Sequence, residues 1–263
     1  MYDYHLHTSH SDDSLAPMDT MIEAAIDLGL SGIAITDHYD PDYPTPEFPF
    51  TLDFSVYHSD LLEASERYRG KIKIAKGIEI GIQHGETMEK CRAAATSWDY
   101  DFILGSFHCA HGKDLCVDYF DNIGIYRAYE RFYSYMYDCL LLYKDFDVLS
   151  HFNIIDRYTS RIPEYDPFME QIEAILKLLI DEHKGIEINT SSFRYGLGDV
   201  TTPSTRILRL YSDLGGRILT LGSDAHNAGN VGYMLDWARD FAISCGFKYV
   251  ATYENRVPSF ELL

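Results

Sequence analysis

The 263 residues of the chain suit one α/β barrel of ~250 residues as well as two small domains, and 46% hydrophobic with 14% aromatic residues exclude a disordered polypeptide. Lys plus Arg number 22 against 41 Asp plus Glu, a net charge of 22 − 41 = −19, which disfavours nucleic acid and anionic membranes as partners.

Short β-like runs alternate with longer amphipathic stretches. Tyr2 to His7 reads as a first strand, and its period-two alternation puts His5 and His7 on one face, close enough to share a metal. A helix over Pro17 to Leu28, stopped by Gly29, leads to a second strand, Gly32 to Asp37, which runs into Thr36-Asp37-His38. The Pro-rich stretch Asp40 to Pro49 lies between that strand and its helix, Phe54 to Arg69, where barrel enzymes carry loops over the site. The third strand, Ile72 to Ile80, ends at Glu79 and precedes a helix over Glu86 to Ser97. Phe102 to His108 forms a fourth strand ending in His108, followed by a helix over Ile123 to Tyr143 whose aromatic face reads as core ahead of interface. The fifth, Val148 to His151, ends in His151, with a helix over Pro167 to His183. Gly185 to Asn189 and Arg217 to Ser223 complete seven strands, with helices over Pro203 to Leu214 and Val231 to Cys245. The last strand runs into Ser223-Asp224-Ala225-His226.

Strand then helix, repeated to about residue 250 without a Gly/Ser-rich or charge-block linker, predicts a parallel sheet and a single domain over residues 1–263. That pattern alone suits a barrel or an open doubly wound sheet. Six of the seven strands end in groups able to bind metal, and burying so many ionisable side chains at one rim is costly unless they are paired or metal-bound. A barrel brings all its C-terminal strand ends together, whereas an open sheet does so only near its switch point, so the expected fold is a closed or nearly closed barrel.

The five cysteines form no CxxC pair, so neither a disulfide framework nor a thiolate zinc site is expected, and a reducing cytoplasm fits. Nothing approaches the ~18 apolar residues of a membrane span, and the sequence opens without a basic-then-apolar leader, so a soluble, unprocessed protein is expected.

His5-Leu6-His7-Thr8, Thr36-Asp37-His38, Gly77-Ile78-Glu79, Gly105-Ser106-Phe107-His108, Ser150-His151 and Gly222-Ser223-Asp224-Ala225-His226 together resemble the motifs of the PHP (polymerase and histidinol phosphatase) family, in order and in spacing. The resemblance implies a distorted (β/α)7, TIM-like barrel with three clustered divalent ions. By it His5, His7, Glu79 and Asp224 hold one ion, Glu79 with His108 and His151 a second, and Asp13, His38 and His226 a third. Asp13 stands in Ser11-Asp12-Asp13-Ser14 where many members have His, so Asp12 remains a competitor for that position. Glu79, Asp224 and His226 are the implied catalytic members. Six histidines and three carboxylates without a thiolate suit Zn, Mn or Fe alike. Closely spaced ions of this kind would let a bridging hydroxide attack phosphorus in line, without a covalent enzyme intermediate.

Within the family, the length, the segment Ser106 to Asp114 and the segment Glu187 to Arg194 are most similar to the monofunctional histidinol phosphatases. That similarity implies hydrolysis of a small phosphorylated substrate, L-histidinol phosphate, in histidine biosynthesis, with Arg157 and Arg194 on the phosphate and Asn189 also at the substrate. Asp42 or Glu47 would read the cationic end of such a substrate, and His10, His84 and His111 are expected to be exposed. Two rivals are a family member acting on nucleotides or another phosphate monoester, and a non-catalytic PHP domain; the second is disfavoured because all nine ligand positions are filled.

Overall fold

The computed structural model describes residues 1–195, 197 and 201–263. Seven parallel strands run β1 (Tyr2–Leu6), β2 (Gly32–Ile35), β3 (Lys73–Gly81), β4 (Phe102–Ser106), β5 (Val148–Leu149), β6 (Gly185–Asn189) and β7 (Leu219–Gly222), each hydrogen-bonded to the next. The intervening helices are α1 (Met18–Asp27), α2 (Phe54–Arg67), α3 (Glu86–Ala95), α4 (Ile125–Leu142), α5 (Met169–Asp181) and α6 (Thr205–Asp213), with α7 (Leu235–Ser244) after β7. Each begins or ends within a few residues of its expected limits.

The helices form where an apolar stripe meets the sheet. In α5, Ile172, Ile175, Leu176 and Leu179 recur at the i, i+3, i+4, i+7 spacing and are buried. Asp53 caps α2 by accepting from the backbone N–H groups of Ser55 and Val56. The aromatic face of α4 is core: Tyr129, Phe132 and Tyr133 are fully buried beneath the turn that follows β5.

β1 and β7 lie side by side, and among the described residues the backbone hydrogen bonds across this seam fall at the C-terminal rim, where His7 N donates to Ala225 O (2.9 Å) and Asp224 N to His5 O (2.9 Å). Beside this seam the buried carboxylate of Asp3 accepts from Ser223 N and Gly232 N, each at 2.8 Å, so the barrel is nearly closed, with a side chain bridging the last two strands. Burial raises the Asp3 carboxyl to about 6 against these hydrogen bonds.

The chain continues past the expected alternation into an antiparallel hairpin, β8 (Tyr249–Glu254) and β9 (Val257–Leu262). Asn255 and Arg256 both have positive φ, the primed-turn conformation that matches hairpin twist. Tyr253 and Ala251 pack against Tyr4, Phe102, Leu104 and Val148 and plug the N-terminal end of the barrel.

Candidate metal centre

The opposite end is polar. β1 delivers His5 from within the strand and His7 just beyond it, β3 delivers Glu79, and His38, His108, His151, Asp224 and His226 stand two to four residues past their strands. Glu79 is the hub, fully buried. Its Oε2 lies 3.2 Å from His5 Nε2, 3.5 Å from His7 Nε2 and 3.0 Å from His38 Nδ1. Its Oε1 lies 3.1 Å from His151 Nε2 and 3.4 Å from His108 Nε2, and accepts from Ser106 Oγ at 2.5 Å. Asp224 Oδ1 stands 3.4 Å from His7 Nε2 and 3.8 Å from His5 Nε2. Asp13 Oδ2 stands 3.0 Å from His226 Nε2 and 3.7 Å from His38 Nε2, whereas Asp12, exposed like Asp13, pairs with neither histidine. The nine expected donors therefore converge in three neighbouring groups, with Asp13 at the position that Asp12 also competed for.

The ring of donors is held from behind. His5 Nδ1 donates to Glu187 Oε1 (2.7 Å), His108 Nδ1 to Asp40 Oδ1 (2.7 Å), His7 Nδ1 to Ser11 Oγ (3.2 Å) and His226 Nδ1 to Asp224 O (3.0 Å). Ser11 Oγ in turn donates a hydrogen bond to Asp37, which also accepts from Thr8. Such partners fix the tautomer and aim the other nitrogen inward. Glycine makes room for two of them: a Cβ at Gly222 would lie 2.0 Å from Glu187 Oε1, and one at Gly81 would lie 1.8 Å from Asp40 Oδ1. Asp224 adopts positive φ, and Arg194 holds that turn by donating to Ser223 O (2.9 Å) and Asp224 O (2.7 Å).

These residues fit divalent metal. His5 Nε2, His7 Nε2, His226 Nε2 and Glu79 Oε2 are buried, and none makes a hydrogen bond among the described residues, although they crowd within a few ångströms of one another. Leaving so many buried polar atoms unpaired costs several kcal/mol unless a cation gathers them. His5–His7–Glu79, Glu79–His108–His151 and His7–His38–His226 each present ligand atoms within 4.8 Å of one another, and the set of imidazole and carboxylate without thiolate suits Zn, Mn or Fe. Burial alone would raise Glu79 and Asp224, but the facing histidines hold both carboxyls well below the usual range. Burial would lower His5 and His108, but Glu187, Glu79 and Asp40 carry them well above the ordinary imidazole value. His7, facing His226 and His38, is held well below it by burial and like charge.

Above the ring opens a cleft of about 410 Å³ lined by Asp13, His38, His108, His151, Asp224 and His226, with Arg157 and Cys116. Tyr43 and Phe50 line it too, as do Tyr158 and Tyr195. Arg157 reaches Asp224 Oδ2 (3.4 Å), donates to Ser191 Oγ and packs over the Tyr195 ring at 4.1 Å. Asn189, expected at the substrate, lies beneath the ring instead, 1% exposed, donating to Glu187 Oε2 and accepting from Ser191. Arg194, expected on the phosphate, spends its guanidinium on the Asp224 turn. Asp42 pairs with Lys90 on the outside of the barrel, and neither it nor Glu47 lines the cleft. His84 and His111 are exposed, whereas His10 is half-buried against Asp60 at 3.0 Å. Sequence reasoning missed Asp40, Glu187 as the support of His5, and the aromatic walls; only Glu187, facing inward two residues before Asn189 on β6, carried a usable signal.

A parallel barrel that gathers histidines and carboxylates around one glutamate at its C-terminal rim places its chemical groups on the face where barrel enzymes carry their active sites. The chain belongs to the PHP family: the PHP domain model matches residues 3–191. It is 32% identical to a probable histidinol-phosphatase of Clostridium acetobutylicum, with 99% of each chain covered. It is also 28% identical to the histidinol-phosphatase of Lactococcus lactis, covering 96% of this chain and 94% of that one. The fold is shared with the crystal structure of histidinol phosphate phosphatase from Lactococcus lactis complexed with zinc, L-histidinol and phosphate, at a TM-score of 0.88, 24% identity and 98% of each chain.

Proposed function

We propose that the chain is a metal-dependent phosphomonoesterase that hydrolyses L-histidinol phosphate to L-histidinol and phosphate, a step of histidine biosynthesis. The observation that carries this reading is the clustering of nine imidazole and carboxylate donors, five of the histidines directly against Glu79, beside an arginine, at the floor of a cleft large enough for a small phosphate ester. Full-length similarity to histidinol-phosphatases supports the substrate.

His5, His7, Glu79 and Asp224 would hold one divalent ion, Glu79, His108 and His151 a second, and Asp13, His38 and His226 a third. Zinc leads Mn and Fe, because the Lactococcus lactis structure contains it. The chemistry such ions supply is Lewis acidity towards phosphate oxygens and towards water. Arg157 adds a planar fork for the remaining phosphate oxygens, held flat by Tyr195 and tethered by Ser191. Arg194 and Asn189 act one layer back, Arg194 by fixing the Asp224 turn and Asn189 by orienting Glu187. Tyr43 and Phe50 on one side, and Tyr158 and Tyr195 on the other, offer aromatic faces to the imidazole of the substrate.

The net charge of −19 disfavours nucleic acid, and the helices include none long and apolar enough to cross a membrane among the described residues. We take residues 1–263 as one domain, with the hairpin as the floor of the barrel, acting in the cytoplasm. Phosphate release from a panel of histidinol phosphate, mononucleotides and oligonucleotides tests the reading. The expected result is a kcat/KM for histidinol phosphate well above every other compound; a mononucleotide at the head of the panel would overturn the substrate. On the preferred compound, Arg157→Ala should lower kcat/KM about 10- to 100-fold, the worth of a hydrogen bond to a charged group, with bound metal unchanged.

A further inference from the structure

Asp40 belongs to no ligand set above, yet it is fully buried between two of them. Its Oδ1 accepts from His108 Nδ1 at 2.7 Å, and its Oδ2 lies 3.5 Å from His38 Nδ1. Neither Oδ2 nor His38 Nδ1 has a hydrogen-bond partner elsewhere among the described residues. The other carboxylate near His38 Nδ1 is Glu79, at 3.0 Å, and Glu79 Oε2 also faces His5 and His7 as the hub of the centre. With Glu79 committed to ions, Asp40 is the carboxylate left to receive the Nδ1 proton of His38. His38 then presents Nε2 towards Asp13 and His226, and His108 presents Nε2 towards Glu79 and His151.

We infer that Asp40 is a shared positioning residue: one buried carboxylate that orients His38 and His108 at once, and so couples two of the three proposed metal positions. The inference rests on the ligand sets proposed above. The fold reserves space for this arrangement. Asp40 stands on the short strand His38–Tyr39 extended by one residue, which pairs with β3 alongside Glu79 and Ile80. Directly opposite is Gly81, where any Cβ would lie 1.8 Å from Oδ1 and 2.3 Å from Cγ of Asp40. A side chain there is incompatible with the observed carboxylate position. By contrast, the His5–His7–Asp224 group has its own support in Glu187 and Ser11, and none of its three residues is hydrogen-bonded or ion-paired to Asp40 among the described residues.

The test is metal binding, read without substrate. Metal-free wild type, Asp40→Asn and Gly81→Ala would be equilibrated over a range of buffered free zinc, bound zinc counted by elemental analysis, and the positions located by anomalous diffraction from zinc-grown crystals. Asp40→Asn removes the charge and one acceptor, while Gly81→Ala keeps the carboxylate but displaces it, so the pair separates a loss of chemistry from a failure to fold. The expected result is affinity about 10- to 100-fold lower at the His38 and His108 positions in both variants, with the His5–His7–Asp224 position unchanged. Equal zinc binding by wild type and both variants would overturn the inference. So would a uniform loss at all three positions, which would mean that Asp40 supports the barrel as a whole. Because no turnover is measured, the outcome stands or falls separately from the choice of substrate.

Discussion

The two ends of this barrel are made from the same seven strands and have opposite chemistry. At the N-terminal end Tyr4, Phe102 and Tyr253 pack in an aromatic plug, with Tyr4 and Phe102 rings 5.1 Å apart edge to face. At the C-terminal end, within the length of a strand, the interior turns into imidazoles and carboxylates with unpaired atoms facing one another. Strand β1 shows the change within a few residues, from Tyr4 in the plug to His5 and His7 in the ring. Stability and chemistry are thereby separated along the barrel axis: the plug gains from burial, while the rim holds groups whose mutual arrangement is unfavourable until a cation joins them.

If that separation is real, damage at one end should leave the other intact. The largest effect is expected for Glu79→Gln at the rim, which should lower turnover by at least about 100-fold, the scale of losing an electrostatic catalytic group, and reduce bound metal in parallel. At the plug, Phe102→Ala should cost about 3–5 kcal/mol of stability, yet the folded fraction at low temperature should keep wild-type kcat and full metal content. A loss of kcat per folded molecule in that variant would show that the two ends are coupled.

A smaller effect concerns pH. Burial alone would lower His38, but Glu79 and Asp13 outweigh it and raise the imidazole from 6.5 to about 9. A folded value above the unfolded one stabilises the protein below the unfolded value, and that contribution is lost as pH rises through the folded value. Metal-free protein should therefore lose stability between pH 6.5 and about 9. Metal-loaded protein should not show this loss, because a ligating His38 carries no such proton to lose. Chemical denaturation of both forms across that window makes the comparison, and a flat profile for the metal-free form would count against it.

The rim was far more legible in the sequence than the plug. Ligands at strand ends announce themselves because His, Asp and Glu are costly there, and the seven strands followed from short β-like runs alternating with amphipathic stretches punctuated by Gly and Pro. The closing hairpin escaped notice because Tyr249 to Leu262 follows a complete set of seven strand-helix units, and its turn places Arg256, a residue without turn preference, at positive φ. Asn189 and Arg194 look like substrate contacts in sequence because of their chemistry. Their supporting positions depend on the fold of the turn after β6 and on the strained Asp224 turn, which no local pattern encodes. Asp40 was hidden for the same reason: its partners His108 and Gly81 are distant in the chain and meet it only through strand pairing.

The central claim is that the converging donors work through bound metal, and one sample tests it. Turnover of histidinol phosphate and metal content would be measured together before chelation, after chelation, and after metal is restored. The account predicts that activity and metal disappear together and return together; undiminished turnover from protein shown to be free of metal would contradict it.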